Sequence, residues 1–152
     1  MRATGGGVFI AVDCSLDIHI IKNPLDSTES VWCCVRLRKI KKIVIGAFYR
    51  LPNSNVDVMD AFSSTLKSIA ENQKDSMIIV GGDFNLPSIN WENLCLVRGG
   101  SDRESCEALI DALSSNSLEQ LVKRPTRGNN ILDIFATNSP ERILRISKSL
   151  RG

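Results

Sequence analysis

The sequence predicts a mixed α/β fold, in which short strands are interrupted by two helices. Seven runs rich in apolar and β-branched residues have the length and pattern of strands. They lie at 7–12, 18–22, 30–37, 43–49, 77–81, 118–122 and 131–136. Two longer segments carry apolar residues at helical spacing. Strands that alternate with helices in this way are typical of a layered α/β domain.

The first four strand-like runs follow one another without a helix between them. Antiparallel strands need only a short turn between them, so we expect antiparallel pairs here. A basic stretch straddles the turn expected between the third and fourth runs. It contains Arg36, Arg38, Lys39, Lys41 and Lys42.

Each helix is predicted from an apolar stripe. The first is expected over about 55–72, with Met59, Phe62, Leu66 and Ile69 on one side. The second is expected to start at 101–104, where the sequence Ser-Asp-Arg-Glu has the pattern of a capping box. Its buried side is predicted to contain Cys106, Leu109, Ile110 and Leu113. Residues 125–130 then form a turn before the last strand.

Length and composition exclude several classes of protein. With 152 residues the chain is one domain. A net charge of +2 is too small to establish nucleic-acid binding. The five cysteines are odd in number and form no C-x-x-C pair, which argues against a disulfide framework and a zinc site. Without an apolar run of membrane-spanning length or a secretory start, we expect an intracellular protein of the nucleus or cytoplasm, not secreted and not bound to a membrane.

The most informative segment is Gly82-Asp83-Phe84-Asn85, which follows an apolar strand at 77–80. Polar groups at the carboxyl end of a buried strand lie where α/β proteins place their chemistry. Strand alternation predicts that Asp83 and Asn85 point the same way, and the glycines at 81 and 82 would allow a sharp turn and close approach of a ligand. A carboxylate can take a proton or hold a cation, while an amide can donate to a phosphate. The alternative is a polar turn without chemistry.

Four segments of this chain resemble the endonuclease/exonuclease/phosphatase family, and in particular the apurinic/apyrimidinic-like endonuclease domain of non-LTR (LINE-type) retrotransposons. In the order of the family these are Gly5–Val12, Ile45–Asn53, Ile79–Asn85 and Ile131–Asn138. The resemblance implies a four-layer α/β sandwich, in which helices flank two mixed, largely antiparallel sheets. We expect an incomplete form of it, a single domain over 1–152 that lacks the first and last strands of the family.

The resemblance also implies roles for individual residues. Asp83 would position or deprotonate the attacking water, Asn85 would hold the scissile phosphate, and the hydroxyl of Tyr49 would donate to the phosphate or its leaving oxygen. Asp133 would orient a catalytic histidine. Asp83 and Asn85 together would form part of a metal site, in which the family uses Mg²⁺.

Each of the remaining assignments has an ordinary alternative. Arg50 would contact a DNA phosphate or be a solvated arginine. Asn53 is a candidate phosphate ligand, although Leu51 adds one residue to the Tyr-x-Pro-Asn pattern of related enzymes. Tyr49 would otherwise be a strand-end tyrosine with a wet hydroxyl. Asp133, in an apolar strand, would need a partner or a shifted pKa unless it faces water at the strand edge.

The expected function is that of a retrotransposon-derived, Mg²⁺-dependent DNA endonuclease that leaves a 3′-hydroxyl, with a reverse transcriptase domain C-terminal to it in the full element. The family's metal-binding Glu and its Ser-Asp-His motif have no match in this sequence, and the only histidine, His19, lies near the start. We therefore expect little or no nuclease activity from the 152-residue chain. The alternatives are a non-catalytic remnant or interaction module, and a phosphoesterase with a non-nucleic-acid substrate.

Overall fold

The computed structural model describes residues 7–23, 28–38 and 42–143, which form an α/β fold with eight strands and two main helices. The strands are β1 (Asp17–Ile21), β2 (Glu29–Arg36), β3 (Ile43–Tyr49), β4 (Met77–Asp83), β5 (Ile89–Asn90), β6 (Cys95–Leu96), β7 (Glu119–Gln120) and β8 (Asp133–Thr137). The helices are α1 (Asp57–Asn72) and α2 (Arg103–Ser115), and a further helical turn covers 140–143. The predicted α/β class is confirmed.

Six strands form one mixed sheet in the order β1-β2-β3-β4-β8-β7. Strands β3 and β4 are parallel, since α1 connects them, and every other neighbouring pair is antiparallel. The antiparallel pairing expected of the early strands is therefore confirmed for β1, β2 and β3. Strands β5 and β6 pair separately and are too short to be predicted from periodicity.

The expected strand at 7–12 is wrong, because these residues form no strand. Their sequence alternates, but no described strand pairs with them, and Phe9 is 83% exposed. Alternation alone cannot satisfy backbone hydrogen bonds, which require a neighbouring strand. In the basic stretch, 39–41 lies outside the described residues, so the structure shows the reversal between β2 and β3 but not the whole turn.

The core lies between the two helices and one face of the six-stranded sheet. The predicted stripe of α1 is confirmed, since Met59, Phe62, Leu66 and Ile69 are all buried. Phe62 is at the centre of an aromatic group whose ring centroids lie 4.7–5.2 Å apart. The other members of that group are Phe48 of β3 and Phe84, the residue after β4. Since Phe84 is anchored in this core, the end of β4 is fixed relative to the helices.

Trp32 of β2 is a packing residue and is only 1% exposed. Its ring covers Gly46 of β3 so closely that a Cβ at position 46 would lie 2.3 Å from it. Cys33 and Cys34 are buried on either side of the same strand, and burial raises the pKa of Cys33. All five cysteines are free thiols.

Helix α2 does not begin with the predicted capping box. Its N-cap is Asp102 instead of Ser101, with a positive φ of 56°, and no side chain caps the helix. The Glu104 of the expected box lies in the first turn, where its charge favours the helix dipole without making the reciprocal bond. Of the predicted buried residues, Cys106, Leu109 and Leu113 are in the core, while Ile110 is only half-buried.

The described residues contain one large sheet and the small β5–β6 pair. Among the helices that the structure describes, none has both the length and the apolar character that crossing a membrane requires.

Candidate active site

Three of the predicted residues stand side by side across three neighbouring strands. In the parallel β3–β4 pair Tyr49 is opposite Asp83, and in the antiparallel β4–β8 pair Asp83 is opposite Asp133. Tyr49 and Asp83 are also the last residues of their strands. The sheet therefore places a phenol and two carboxylates in one row at the ends of three neighbouring strands. We call Tyr49, Asp83 and Asp133 the acidic row.

The acidic row faces away from the core. Residues next to it in β3 and β8, Phe48 and Ile134, are buried against the helices, and side chains alternate along a strand. Asp133 is exposed, Tyr49 is half-buried, and the side chain of Asp83 is 18% exposed. Directly opposed side chains in an antiparallel pair have Cβ atoms about 5 Å apart, close enough for two carboxylates to bind one cation.

The glycines before Asp83 do not make the turn that the sequence suggested, because both lie inside β4. A glycine is required at position 82 because strand β3 lies too close for a side chain. A Cβ at position 82 would lie 1.8 Å from the carbonyl oxygen of Phe48, and φ is 155°. Gly81 has only ordinary contacts around the corresponding position. Gly82 thus allows β3 and β4 to approach closely, one residue before the acidic row.

Asn85 lies beside Asp83 through a loop conformation instead of strand alternation. Strand β4 ends at Asp83, and Asn85 adopts a positive φ of 50°. Its backbone N–H donates to Asp83 Oδ1 at 3.1 Å. Its side-chain Nδ2 is buried and donates to the carbonyl oxygen of Arg50 at 2.7 Å. The amide therefore joins the ends of β3 and β4 in this structure.

Arg50 is fully buried, so the interpretation as a solvated arginine is wrong. Its guanidinium donates to the carbonyl oxygens of Asn85, at 3.2 Å, and Ser54, at 2.7 Å. It also lies 3.5 Å from Ser105 Oγ and 3.9 Å from a carboxylate oxygen of Asp102, both near the start of α2. A direct contact with a phosphate would require Arg50 to leave these partners. As observed, it fixes the loops around the acidic row.

The other two predicted residues lie at the surface. Asn53 is exposed, with a φ of 58°, in the turn that follows β3. Asp133 faces water at the start of β8, which is the ordinary alternative for this residue and removes the need for a buried partner. The backbone N–H of Asp133 donates to Thr126 Oγ1 at 3.1 Å.

One residue of the site was not predicted. Nη2 of Arg127 lies 3.3 Å from Asp83 Oδ2 and pairs with that carboxylate across 44 positions of sequence. The sequence indicated only a turn at 125–130, and no local pattern connects that turn to Asp83. A cavity of about 690 Å³ adjoins this turn and the loop after Asn85. Among the residues that line it are Pro87, Trp91, Lys123, Asn129 and Asn130.

The chemistry of the donor set fits only part of a magnesium site. Within 7–23, 28–38 and 42–143, no three His, Cys, Asp or Glu side chains group together as ligands. Asp83 and Asp133 supply two carboxylates, and magnesium is often held by one or two carboxylates together with substrate phosphates and water. His19 takes no part, because it lies in β1 and pairs with Asp17 at 3.0 Å.

The fold and this site together define an α/β protein in which a phenol and a carboxylate end two parallel strands and a second carboxylate begins the neighbouring antiparallel strand. Residues 43–150 match the family model described as endonuclease-reverse transcriptase, and the chain belongs to this family. The predicted relationship to the endonuclease/exonuclease/phosphatase family of retrotransposon type is thereby confirmed. The matched range includes β3, β4 and β8, and so the whole acidic row. No curated protein matches the sequence.

Proposed function

We propose that this chain is a DNA endonuclease domain of retrotransposon origin, in which the acidic row carries out phosphodiester hydrolysis. The observation that carries the proposal is the register of β3, β4 and β8, which brings Tyr49, Asp83 and Asp133 together from distant parts of the sequence. An endonuclease needs a base or a metal ligand beside a donor for the phosphate, and this row offers carboxylates beside a phenol.

Each residue has a role that follows from its place. Asp83 accepts the backbone N–H of Asn85, which holds its carboxylate in place, and in the proposed reaction this carboxylate positions or deprotonates the attacking water. The half-buried Tyr49 presents its hydroxyl as a donor to a phosphate oxygen. Asn85 and Asn53 hold the phosphate in the proposed complex, which requires the side-chain amide of Asn85 to leave the carbonyl oxygen of Arg50, while the buried Arg50 keeps their loops in place.

Magnesium is the cofactor proposed for the reaction. Asp83 and Asp133 are the residues that would hold it, and its chemistry would be to neutralise charge on the phosphate and on the leaving oxygen. The two carboxylates would hold the ion, and the backbone N–H of Asn85 holds Asp83 in place by donating to its Oδ1.

A non-catalytic scaffold is a second candidate function, and one observation favours it. The side-chain amide of Asn85 is already occupied by the carbonyl oxygen of Arg50, and Arg50 is fully buried. The amide of Asn85 and the guanidinium of Arg50, which would otherwise bind a phosphate, thus hold the loops together through backbone carbonyl oxygens. A remnant that keeps the fold for interaction with a partner would retain these contacts without turnover.

The setting of the reaction is part of the same proposal. The proposed partners are DNA and, in the full element, a reverse transcriptase domain that follows the endonuclease. Free thiols fit a reducing compartment, and we place the protein in the nucleus or cytoplasm. The four-layer sandwich, in which helices flank two sheets, belongs to the proposal too.

The test is nicking of supercoiled plasmid with Mg²⁺, with protein in excess, because the family's Glu and Ser-Asp-His motif have no match in this sequence and any nicking by the chain is expected to be slow. Asp83→Asn should lower the nicking rate by about 10²-fold or more, because an amide cannot take the proton or position the water in the same way. Duplex binding at fixed salt should persist, since phosphate contacts dominate affinity. The matched control is Asp75→Asn, an exposed carboxylate just before the start of β4.

Nicking by Asp83→Asn at the wild-type rate would remove the acidic row from the mechanism. Duplex binding without any nicking by the wild type would favour the non-catalytic scaffold. Hydrolysis of bis(p-nitrophenyl) phosphate without duplex binding would favour the third class, a phosphoesterase with a non-nucleic-acid substrate.

A further inference from the structure

We propose that Arg127 is a phosphate-binding residue, which neutralises Asp83 and presents its remaining N–H groups to a phosphodiester. This inference rests on the proposed function of the acidic row and adds a residue to it. The first observation is the ion pair, in which Arg127 Nη2 lies 3.3 Å from Asp83 Oδ2.

The two carboxylates of the acidic row carry negative charge, and this ion pair reduces it. Asp83 and Asp133 are opposite each other and would repel an approaching phosphate. Arg127 is the one cation paired with the row among the residues that the structure describes. An arginine paired with one of the carboxylates lowers this repulsion.

Arg127 also has donors left for a ligand. A guanidinium carries five N–H groups. Among the described residues, the guanidinium of Arg127 makes one hydrogen bond, to Asp83. The side chain is 63% exposed, so these groups are open to water. A guanidinium can bind a carboxylate along one edge and a phosphate along another, because its donors lie in a fixed planar fork.

The turn that carries Arg127 is held in place. Residues 126–130 are closed by three backbone hydrogen bonds, two of them between Arg127 and Asn130, at 3.1 and 3.0 Å. Thr126 Oγ1 accepts the N–H groups of Leu132 and Asp133 and thereby fastens the turn to the start of β8. A donor on a fixed turn loses little freedom when it binds a ligand.

The experiment measures binding of a fluorescent DNA duplex by the 152-residue chain at several salt concentrations, without metal. Each phosphate contact contributes about 0.9 to the slope of log K against log salt. Arg127→Ala should therefore make that slope shallower by about one. Arg127→Lys should keep the slope but bind more weakly, since it retains the charge and loses the fork. Arg124→Ala is the control, an exposed arginine three positions earlier that loses the same charge.

The inference is overturned if Arg127→Ala keeps the wild-type slope, or if Arg124→Ala changes the slope as much as Arg127→Ala does. In both cases the wild type still binds DNA, and the proposed function stands. If the wild type shows no salt-dependent binding, the DNA substrate and the role of Arg127 fail together. Thermal unfolding followed by circular dichroism shows whether each variant is folded, and Arg127→Lys tests the inference if the alanine variant is not.

Discussion

At the scale of single residues, Arg50 is the polar side chain that joins three segments around the site. It is fully buried and contacts the loops after β3 and β4 as well as the start of α2. An unpaired polar group left in such a place loses its hydrogen bonds and gains no water in return. The site therefore depends on a residue whose charge suggests a surface position.

We expect Arg50→Met to lower the free energy of unfolding by about 3 kcal/mol, because it leaves the carbonyl oxygens of Asn85 and Ser54 without their donor. Urea denaturation measures the change. Arg103→Met is the control, since Arg103 forms only an exposed pair with Glu107 and should cost less than about 0.5 kcal/mol. Equal losses in the two variants would show that the Arg50 contacts contribute little.

The two tryptophans offer a second residue-scale prediction. Trp32 Nε1 donates to Ser30 Oγ at 3.2 Å, whereas Trp91 Nε1 is buried without a partner among the described residues. Trp91→Phe should therefore cost less stability than Trp32→Phe, which loses a hydrogen bond as well as packing over Gly46. Urea midpoints of the two variants give the order, and a larger loss for Trp91→Phe would contradict it.

At the scale of elements, the sequence predicted those whose pattern is decided locally. The stripe of α1 and the apolar run of β4 gave the right type and nearly the right limits. The strand at 7–12 failed because pairing depends on a partner that alternation does not reveal. The start of α2 failed because Asp102 takes a positive φ, which the residues around it do not indicate.

The distinction between local patterns and contacts with distant partners also explains which site residues could be predicted. Tyr49, Asp83 and Asp133 were predicted from the resemblance to the family, and each lies at the end of a strand whose pattern is recognisable in the sequence. Arg127 was not found, since its contact with Asp83 depends on how a turn folds back over β4. Burial of Arg50 was missed for a related reason, because the partners that satisfy it come from three separate segments.

Helix α2 gives an element-scale prediction through Cys106. Burial, reinforced by the charge of Asp102, raises the pKa of this thiol to about 11 from its ordinary 9.0. Between these two pH values the unfolded chain loses the thiol proton while the folded chain keeps it. The contribution of the Cys106 thiol to the free energy of unfolding is therefore complete below pH 9 and is lost as the pH rises toward 11.

Chemical denaturation at several pH values from 8 to 11 measures this dependence. Cys106→Ala should lower stability at pH 8, since it leaves a small cavity, and should flatten the decline above pH 9. Cys95→Ala, at an exposed position, should keep the decline of the wild type. An unchanged decline in Cys106→Ala would assign the pH dependence to other groups.

At the scale of the whole molecule, β1 lies at one edge of the sheet formed by the described strands. Its Ile20 is 82% exposed, and Val31 of the neighbouring β2 is 36% exposed on the same face. An edge strand with exposed apolar side chains can pair with another chain. We therefore expect self-association as the concentration rises.

Ile20→Lys should reduce that association without unfolding the protein, because a charge at a sheet edge opposes pairing. Val97→Lys makes the same kind of change at a 50% exposed position in a loop and should leave association as it is in the wild type. Sedimentation velocity across a range of concentrations compares the three proteins. Equal association of Ile20→Lys and wild type would place the contact elsewhere.

Strand β4 has a hydrogen-bonded neighbour on each side, β3 and β8, and its last residue is Asp83. A strand in that position does not open by fraying, whereas β1 at the edge does. We expect the β4 amides to exchange with deuterium only through global unfolding, and the β1 amides through local opening. The acidic row then persists for as long as the molecule stays folded. Slow amide exchange in β4 measures how long the strand that carries Asp83 stays paired with its neighbours.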